Sequence, residues 1–364
     1  EHAESLGVDI FPGFTAKDIL YENNKVIGIL SGEKGLKRNG EKSSLYEPPI
    51  ALKADQTFFA EGCRGHLGKR LIEKFGLYSN NKFQTYALGI KELWEINDNS
   101  LSTGSVIHTI GWPLYNNAYG GSFLYKLNEN TISIGFVVGL DYKNPYLSPY
   151  QEFQSFKSHP KITELLKNGN RVSYGARALN EGGFQSLPKL SFPGGVMLGC
   201  EAGTLNVLKI KGTHTAIKSG ILAAESYYES LKDGKHKNEL KNYPSKFENS
   251  TIYKELYNAR NVRPGFKYGF FSGLLNTFID QKIFRGKAPW TLKHGEPDHL
   301  SLKEKTKAKK IEYPKPDGKI SFDRLTNVSF SSTYHEENQP VHLKISDEKI
   351  TIDINLALYD SPEQ

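Results

Sequence analysis

One stretch, Tyr174 to Gly220, constrains the fold more than any other part of the chain. It reads YGARALNEGGFQSLPKLSFPGGVMLGCEAGTLNVLKIKGTHTAIKSG. The apolar run from Gly195 to Leu198 predicts a strand, which leads into Gly199-Cys200-Glu201-Ala202-Gly203. Gly212-Thr213 then opens a helical pattern carried by Ala216, Ile217, Ile221, Leu222 and Ala223. Strand, glycine turn and helix start together aim free backbone N–H groups and a positive helix end at an electron-rich group. The turn alone would suit any α/β connection. Asn180-Glu181-Gly182-Gly183 and Asn206 in the same stretch are what make it distinctive.

A second turn of this type stands upstream. Residues 51–60 predict a strand that ends in Glu61-Gly62-Cys63-Arg64, followed by a helix from Gly68 to Phe75. The spacing Asp55-x5-Glu61-Gly62-x-Arg64 places an acidic-Gly turn at a strand end, although short glycine turns after strands are common. Before it, Val8 to Ile10, Phe14 to Leu20 and Lys25 to Leu30 read as short strands, with Asn23-Asn24 a turn between the last two. From Phe83 to Arg177 strand-like alternation with aromatics takes over, interrupted by a helical segment from Ser148 to Asn168. Helical segments follow Tyr243, then a basic linker from Lys303 to Lys315. Val341 to Ile345 and Ile350 to Ile354 alternate with period two and predict a last β-rich piece.

These strings resemble the electron transfer flavoprotein–ubiquinone oxidoreductases, over essentially the whole chain. The resemblance implies a mixed α/β fold: a Rossmann-like FAD-binding domain of the hydroxylase-like flavoprotein type, an inserted β-sheet quinone domain and the start of a ferredoxin-like C-terminal domain. It divides the chain into FAD-domain residues 1–75 and 191–240, a ubiquinone-binding region 76–190, a helical region 241–295, and the start of an iron–sulfur cluster domain, 296–364. It assigns flavin contacts to Glu61, Gly62, Arg64, Gly199, Cys200, Glu201, Gly203, Asn206, Gly212 and Thr213. Asn206 and Thr213 carry side chains able to hydrogen-bond flavin or ribityl oxygens, while Cys200-Glu201 stands where many related flavoproteins have Gly-Asp. Gly120 and Gly121 are the expected ubiquinone contacts, because a backbone without Cβ atoms lets a flat ring approach closely. The same pair would otherwise be a hairpin or bulge feature. Trp112, Pro113, Tyr119 and Phe123 are candidates to line a tail channel.

Phe266 to Arg285 predicts a helix with a broad apolar surface, on which Phe270, Phe271, Leu274, Leu275 and Phe278 are the expected membrane contacts. Lys254, Arg260, Arg263, Lys267, Lys282, Arg285 and Lys287 flank or punctuate it. That combination suits a helix lying in a membrane interface, with a buried core helix as the other reading. No apolar run reaches the roughly 20 residues of a spanning helix. The 47 basic against 40 acidic residues give a net charge of +7, and no nucleic-acid-binding motif accompanies it. The two cysteines, Cys63 and Cys200, are too few for a disulfide scaffold or a Cys₄ cluster, and they read as packed thiols. The ten histidines show no metal spacing. The resemblance implies a [4Fe–4S] cluster in the full-length protein, so the chain, which also opens mid-element, is expected to be a fragment lacking the first FAD motif and the cluster cysteines. It further implies electron transfer flavoprotein and ubiquinone as partners and a peripheral or monotopic place on an inner membrane, at the bacterial cytoplasmic or the mitochondrial matrix face. No side chain has an evident catalytic role. A flavin monooxygenase or lipid reductase of the same fold, or a non-catalytic fragment, are the alternatives.

Overall fold

Two consecutive asparagines, Asn23 and Asn24, take positive φ values of 47° and 59°, a left-handed region that Asn tolerates better than most residues. They fold Ala16–Glu22 (β1) back on Lys25–Ser31 (β2) as an antiparallel pair that closes with Glu22 opposite Lys25. One helical turn, His2–Ser5 (α1), precedes this hairpin, and a small ribbon, Lys34–Leu36 (β3) with Lys42–Glu47 (β4), follows it. The expected strand over Val8 to Ile10 does not form; those residues are exposed with no neighbouring strand. The computed structural model describes residues 1–79, 82–98, 100–114 and 118–362.

Residues 51–60 are two strands rather than one. Ala51–Lys53 (β5) pairs with β2, whereas Thr57–Phe59 (β6) joins a different sheet. The polar pair between them causes the break. Gln56 Nε2 donates to the carbonyls of His236 and Asn238, and Asp55 faces His236 and Lys237. Beyond β6 the helix His66–Phe75 (α2) begins, and it ends at Gly76 in the left-handed conformation.

Tyr86–Glu95 (β7), Val106–Ile110 (β8), Gly120–Lys126 (β9), Thr131–Gly139 (β10) and Asn170–Asn180 (β11) form an antiparallel sheet in the order β11-β7-β10-β9-β8. The helical stretch after Ser148 splits at His159-Pro160 into Pro149–Lys157 (α3) and Pro160–Leu166 (α4), since proline starts a helix well but cannot continue one. Phe153, Phe156 and Leu166 from these helices pack with Ile90, Trp94, Ile134 and Phe136 of the sheet as one hydrophobic core. Ser191–Phe192 (β12) and Gly195–Met197 (β13) follow, and β13 runs parallel to β6, with Val196 opposite Phe58. The five-stranded sheet therefore lies, in sequence, between two strands that are hydrogen-bonded neighbours. The long helix Thr213–Lys232 (α5), then Asn242–Glu248 (α6) and Thr251–Ala259 (α7), close a second core around Phe59, Leu67, Phe192, Leu222 and Tyr243.

Val262–Gly265 (α8) leads to Phe270–Phe278 (α9) across a break at Gly269, whose φ is +108°, and a wider π-type turn continues to Ile283. The expected C-terminal strands are absent among the described residues. Val341, Leu343 and Ile345 stay exposed without a ladder, and residues 350–356 are helical. Alternation needs a partner strand to become a sheet, and none is at hand. A short helix, Arg324–Ser329 (α10), docks on β11 instead.

Candidate functional site

The turn after β13 is built by glycines for two separate reasons. Gly199 and Gly203 have positive φ, 54° and 77°, which L side chains rarely adopt. Gly199 also lies so close to α5 that a Cβ there would stand 3.0 Å from that of Ala216. The Gly199 N–H donates to Ser219 Oγ at 2.9 Å, tying turn to helix. Gly212 is the N-cap of α5 and supplies no side chain, so the free N–H groups of the first turn have no side-chain partner. Cys200 Sγ and Leu205 pack around Gly212, and Thr213 is exposed beside them. Asn206 points elsewhere: it is buried, its Nδ2 donating to Glu255 Oε1 at 2.8 Å and its Oδ1 accepting from Lys209 N. Its amide organises the 206–211 loop.

The upstream turn comes to the same place. Glu61 caps α2, its oxygens accepting from the Leu67 and Gly68 N–H groups at 3.1 and 2.9 Å. Gly62 and Arg64 take positive φ to make the turn, and the Arg64 guanidinium lies over the Tyr86 ring. Between this turn and the other sits the Glu201 carboxyl, packed against Gly65 and Gly68, where any Cβ would overlap it. Glu201 Oε2 is buried without a hydrogen-bond partner. Burial, and then the neighbouring Glu61 charge, push its pKa up to about 8. At neutral pH Glu201 is thus a carboxylic acid with a proton to donate. Burial likewise raises the thiols of Cys63, to about 11, and Cys200, and both are free. They are packed, protonated groups. An uncapped helix start, a turn with glycine at both ends and a buried carboxyl oxygen without a partner form a cradle that fits a flavin with its polyol chain. No such fit exists for an iron–sulfur cluster, because the chain has only those two cysteines and no group of metal-binding side chains occurs among the described residues.

On the far side of the 205–211 loop opens an apolar cavity of about 790 Å³. Its floor is the five-stranded sheet, including Gly120, Gly121 and Gly175; Leu205 and Val207 form a wall, and Leu274 and Thr277 of α9 a roof. Tyr119 and Phe123 line it, whereas Trp112 packs outside against His159 and Phe156, and Pro113 does not reach it. The glycine pair is also demanded by the sheet itself. A Cβ on Gly120 would overlap the Val137 carbonyl, and one on Gly121 the Thr109 carbonyl.

Of the expected membrane contacts, Phe271, Leu274, Leu275 and Phe278 are exposed on α9. Phe270 turns inward, its ring against Gly111 and between Phe266 and Phe271. Lys254, Lys267, Lys282, Arg285 and Lys287 are exposed around the helix. Arg260 and Arg263 are not part of that fringe: both are buried. Arg260 donates to the carbonyls of Tyr257, Gly286, Ala288 and Trp290. Arg263 joins Glu181 and Asp141 in ion pairs of 2.8 and 2.7 Å beside the cavity. Periodicity could not reveal this, since an arginine in a basic, aromatic segment reads as a surface residue.

A parallel strand pair ending in a flavin-fitting turn, beside a large antiparallel sheet, defines a flavoenzyme-type α/β fold. Solved structures agree on the fold. A flavin-dependent brominase matches with a TM-score of 0.52 at 17% identity, over 78% of this chain and 66% of its own. A geranylgeranyl bacteriochlorophyll reductase-like protein from Thermoplasma acidophilum gives 0.51 at 15% identity, over 82% and 62%. At the level of sequence, residues 86–179 match the ubiquinone-binding family model of ETF-QO, and residues 318–364 the 4Fe-4S model of electron transfer flavoprotein–ubiquinone oxidoreductase. The mitochondrial enzyme of that name from Sus scrofa is 50% identical over 100% of this chain and 61% of its own length. The Pseudomonas aeruginosa enzyme is 50% identical over 100% and 67%. The chain belongs to the electron transfer flavoprotein–ubiquinone oxidoreductase family and spans about 61% of the length of its mitochondrial relatives.

Proposed function

We propose that this chain is the flavin- and quinone-handling part of an enzyme that takes electrons from reduced electron transfer flavoprotein and passes them to ubiquinone. The observation that carries the reading is the position of the 790 Å³ cavity. One wall is the loop that leaves the flavin-fitting turn, the floor is the sheet matched by the ubiquinone-binding model, and the roof is a helix with an apolar outer face. A hydrophobic quinone entering from a membrane would pass under that helix to a point beside the flavin. FAD supplies the two-electron store needed between a one-electron donor and a two-electron acceptor. The chain's own groups set the geometry. The first turn of α5, whose N–H groups lack a side-chain cap, would hold the electron-rich edge of the ring, and the Glu201 carboxyl would hydrogen-bond the polyol chain. The apolar lining would keep water from the quinone. In this reading residues 76–190 are the quinone domain inserted in the FAD domain, and 296–364 begin the cluster domain. Among the described residues no helix is long and apolar enough to cross a membrane. The exposed row on α9 and its basic fringe support peripheral attachment at an inner membrane, and the relatives include a mitochondrial and a bacterial enzyme.

Gly175 provides the test. It lines the cavity from β11, and a Cβ there meets nothing within 4 Å. In the holoenzyme Gly175→Leu fills cavity space without displacing backbone. Reduction of a short-tail ubiquinone analogue should fall more than about tenfold, some 1.4 kcal/mol in the barrier, while flavin reduction by the donor protein is unchanged. Equal rates for both half-reactions in variant and wild type would place the quinone elsewhere.

A further inference from the structure

Reduction of a quinone to a quinol forms two O–H bonds, so the acceptor cavity must deliver two protons as well as two electrons. Several proton-bearing groups line the apolar cavity: burial holds the His108 imidazole below its ordinary range and the Tyr119 phenol above its own, and the Tyr125 hydroxyl is bonded to His108 and Lys211. Its cationic side chains, Lys91, Arg177 and Lys211, stand exposed in the structure. Glu181 alone among the cavity-lining residues is a carboxylic acid, and it is only 5% exposed. Its place is fixed from three directions. Its N–H donates to the Thr85 carbonyl at 2.8 Å, its Oε2 accepts from Arg263 Nε at 2.8 Å, and the Arg263 guanidinium lies over the Tyr119 ring.

Behind that arginine is a second cavity of about 510 Å³, polar where the first is apolar. Asp141, Lys143, Lys267 and His294 line it, and it shares the wall Tyr119-Gly120 with the apolar one. Asp141 accepts from Arg263 Nη2 at 2.7 Å and is partly exposed. One guanidinium therefore holds two carboxyls, Glu181 facing the apolar cavity and Asp141 facing the polar one. Asp298 and His294 complete the titratable surroundings: Asp298 accepts from the Tyr86 N–H, and His294, which burial holds below the usual imidazole range, bonds the Gly182 carbonyl next to Glu181.

We propose that Glu181 is the proton donor to a quinone bound in the apolar cavity, held in place by Arg263 and reloaded from the polar cavity at Asp141. This rests on the quinone reading above. In each step the Glu181 O–H bond breaks as a quinone O–H bond forms. The carboxylate then regains a proton from water in the polar cavity, and after two such steps the quinone carries two protons and the electron pair supplied by the activity proposed above. Arg263 stays charged throughout and positions its two carboxyls. Burial raises the Glu181 pKa from the ordinary carboxylate value, and the Arg263 charge opposes that rise.

The experiment uses the holoenzyme, decylubiquinone as acceptor, and Glu181→Gln, whose amide still accepts from Arg263. The variant should bind flavin and decylubiquinone as wild type does, and its flavin should be reduced normally by the donor protein. Its kcat for the acceptor should fall at least about tenfold with KM unchanged, and the loss should deepen as pH rises from about 6 to 8, as the solvent becomes the only acid. Glu181→Asp should restore part of the rate. Wild-type kcat and pH profile in Glu181→Gln would overturn the assignment. So would a loss that tracks flavin content and that Asp does not restore. If wild-type enzyme fails to bind decylubiquinone while its flavin is still reduced, the quinone reading falls, and this proposal falls with it.

Discussion

Glu201 shows at the scale of one side chain how a fold sets a titration. Gly65, the N-cap of α2, and Gly68 within it leave the volume that its carboxyl occupies, and Glu61 supplies a like charge beside it. Its pKa rises from 4.5 to about 8, so the folded state holds the proton more tightly than the unfolded chain does. The contribution to stability is complete below about pH 4.5, declines as pH rises, and is gone above about pH 8. Over that window the slope is at most roughly 1.4 kcal/mol per pH unit. Glu201→Gln should flatten it, so that the variant gains on wild type as pH rises. Urea midpoints at several pH values read this directly, and parallel curves for the two proteins would show that the carboxyl is already ionised.

Helix α9 is divided between two tasks. Leu274 and Thr277 roof the cavity, while Phe271, Leu275 and Phe278 point outward at exposures of 74%, 61% and 58%. Gly273 sits at the Phe266 ring, where a side chain would lift the helix off the body. Replacing Phe271, Leu275 and Phe278 together by Ser should leave the fold intact and abolish flotation on anionic liposomes. Each buried apolar side chain contributes roughly 1.5–3 kcal/mol to such attachment. Phe270→Ser is the contrasting variant, since its ring packs on Gly111 and should affect stability first. Undiminished flotation of the triple variant, with native circular dichroism, would give the outward face another role.

Across the whole molecule, the C-terminal segment is fastened to the outer side of the sheet core through a buried polar cluster. Lys157 and Glu92, both fully buried, form an ion pair of 2.9 Å, and Trp94 Nε1 donates to the same carboxylate. Asn327 of α10 donates to Glu92 and to the Tyr150 hydroxyl, and Arg171 donates to Asn327. Phe322 covers the cluster, with the Lys157 ammonium 5.0 Å and the Arg171 guanidinium 3.7 Å from its ring. A buried ion pair depends on every partner, because each unpaired charge left behind is penalised. Lys157→Met should therefore cost about 3–5 kcal/mol. Phe322→Ala should instead raise amide exchange mainly over residues 318–330 and leave the opposite core protected. Uniform loss of protection across both cores would mean that the segment is integral to them.

Local sequence determined the elements whose signal is local. The Asn23-Asn24 hairpin, the glycine turn after β13 and the start of α5 follow from φ preferences and periodicity, which a residue carries with it wherever it lies. Tertiary structure alone decided what required a distant partner. Strand-like alternation at residues 341–354 found no neighbouring strand, and residues 51–60 were divided by Gln56 reaching the 236–238 loop. Asn206 was claimed by Glu255, and Phe270, Arg260 and Arg263 turned inward. Glu181 and Asp141 are 40 positions apart and became a pair only because both reach Arg263. Burial and charge pairing depend on which surfaces meet, and that is fixed by long-range packing rather than by the period of any one segment.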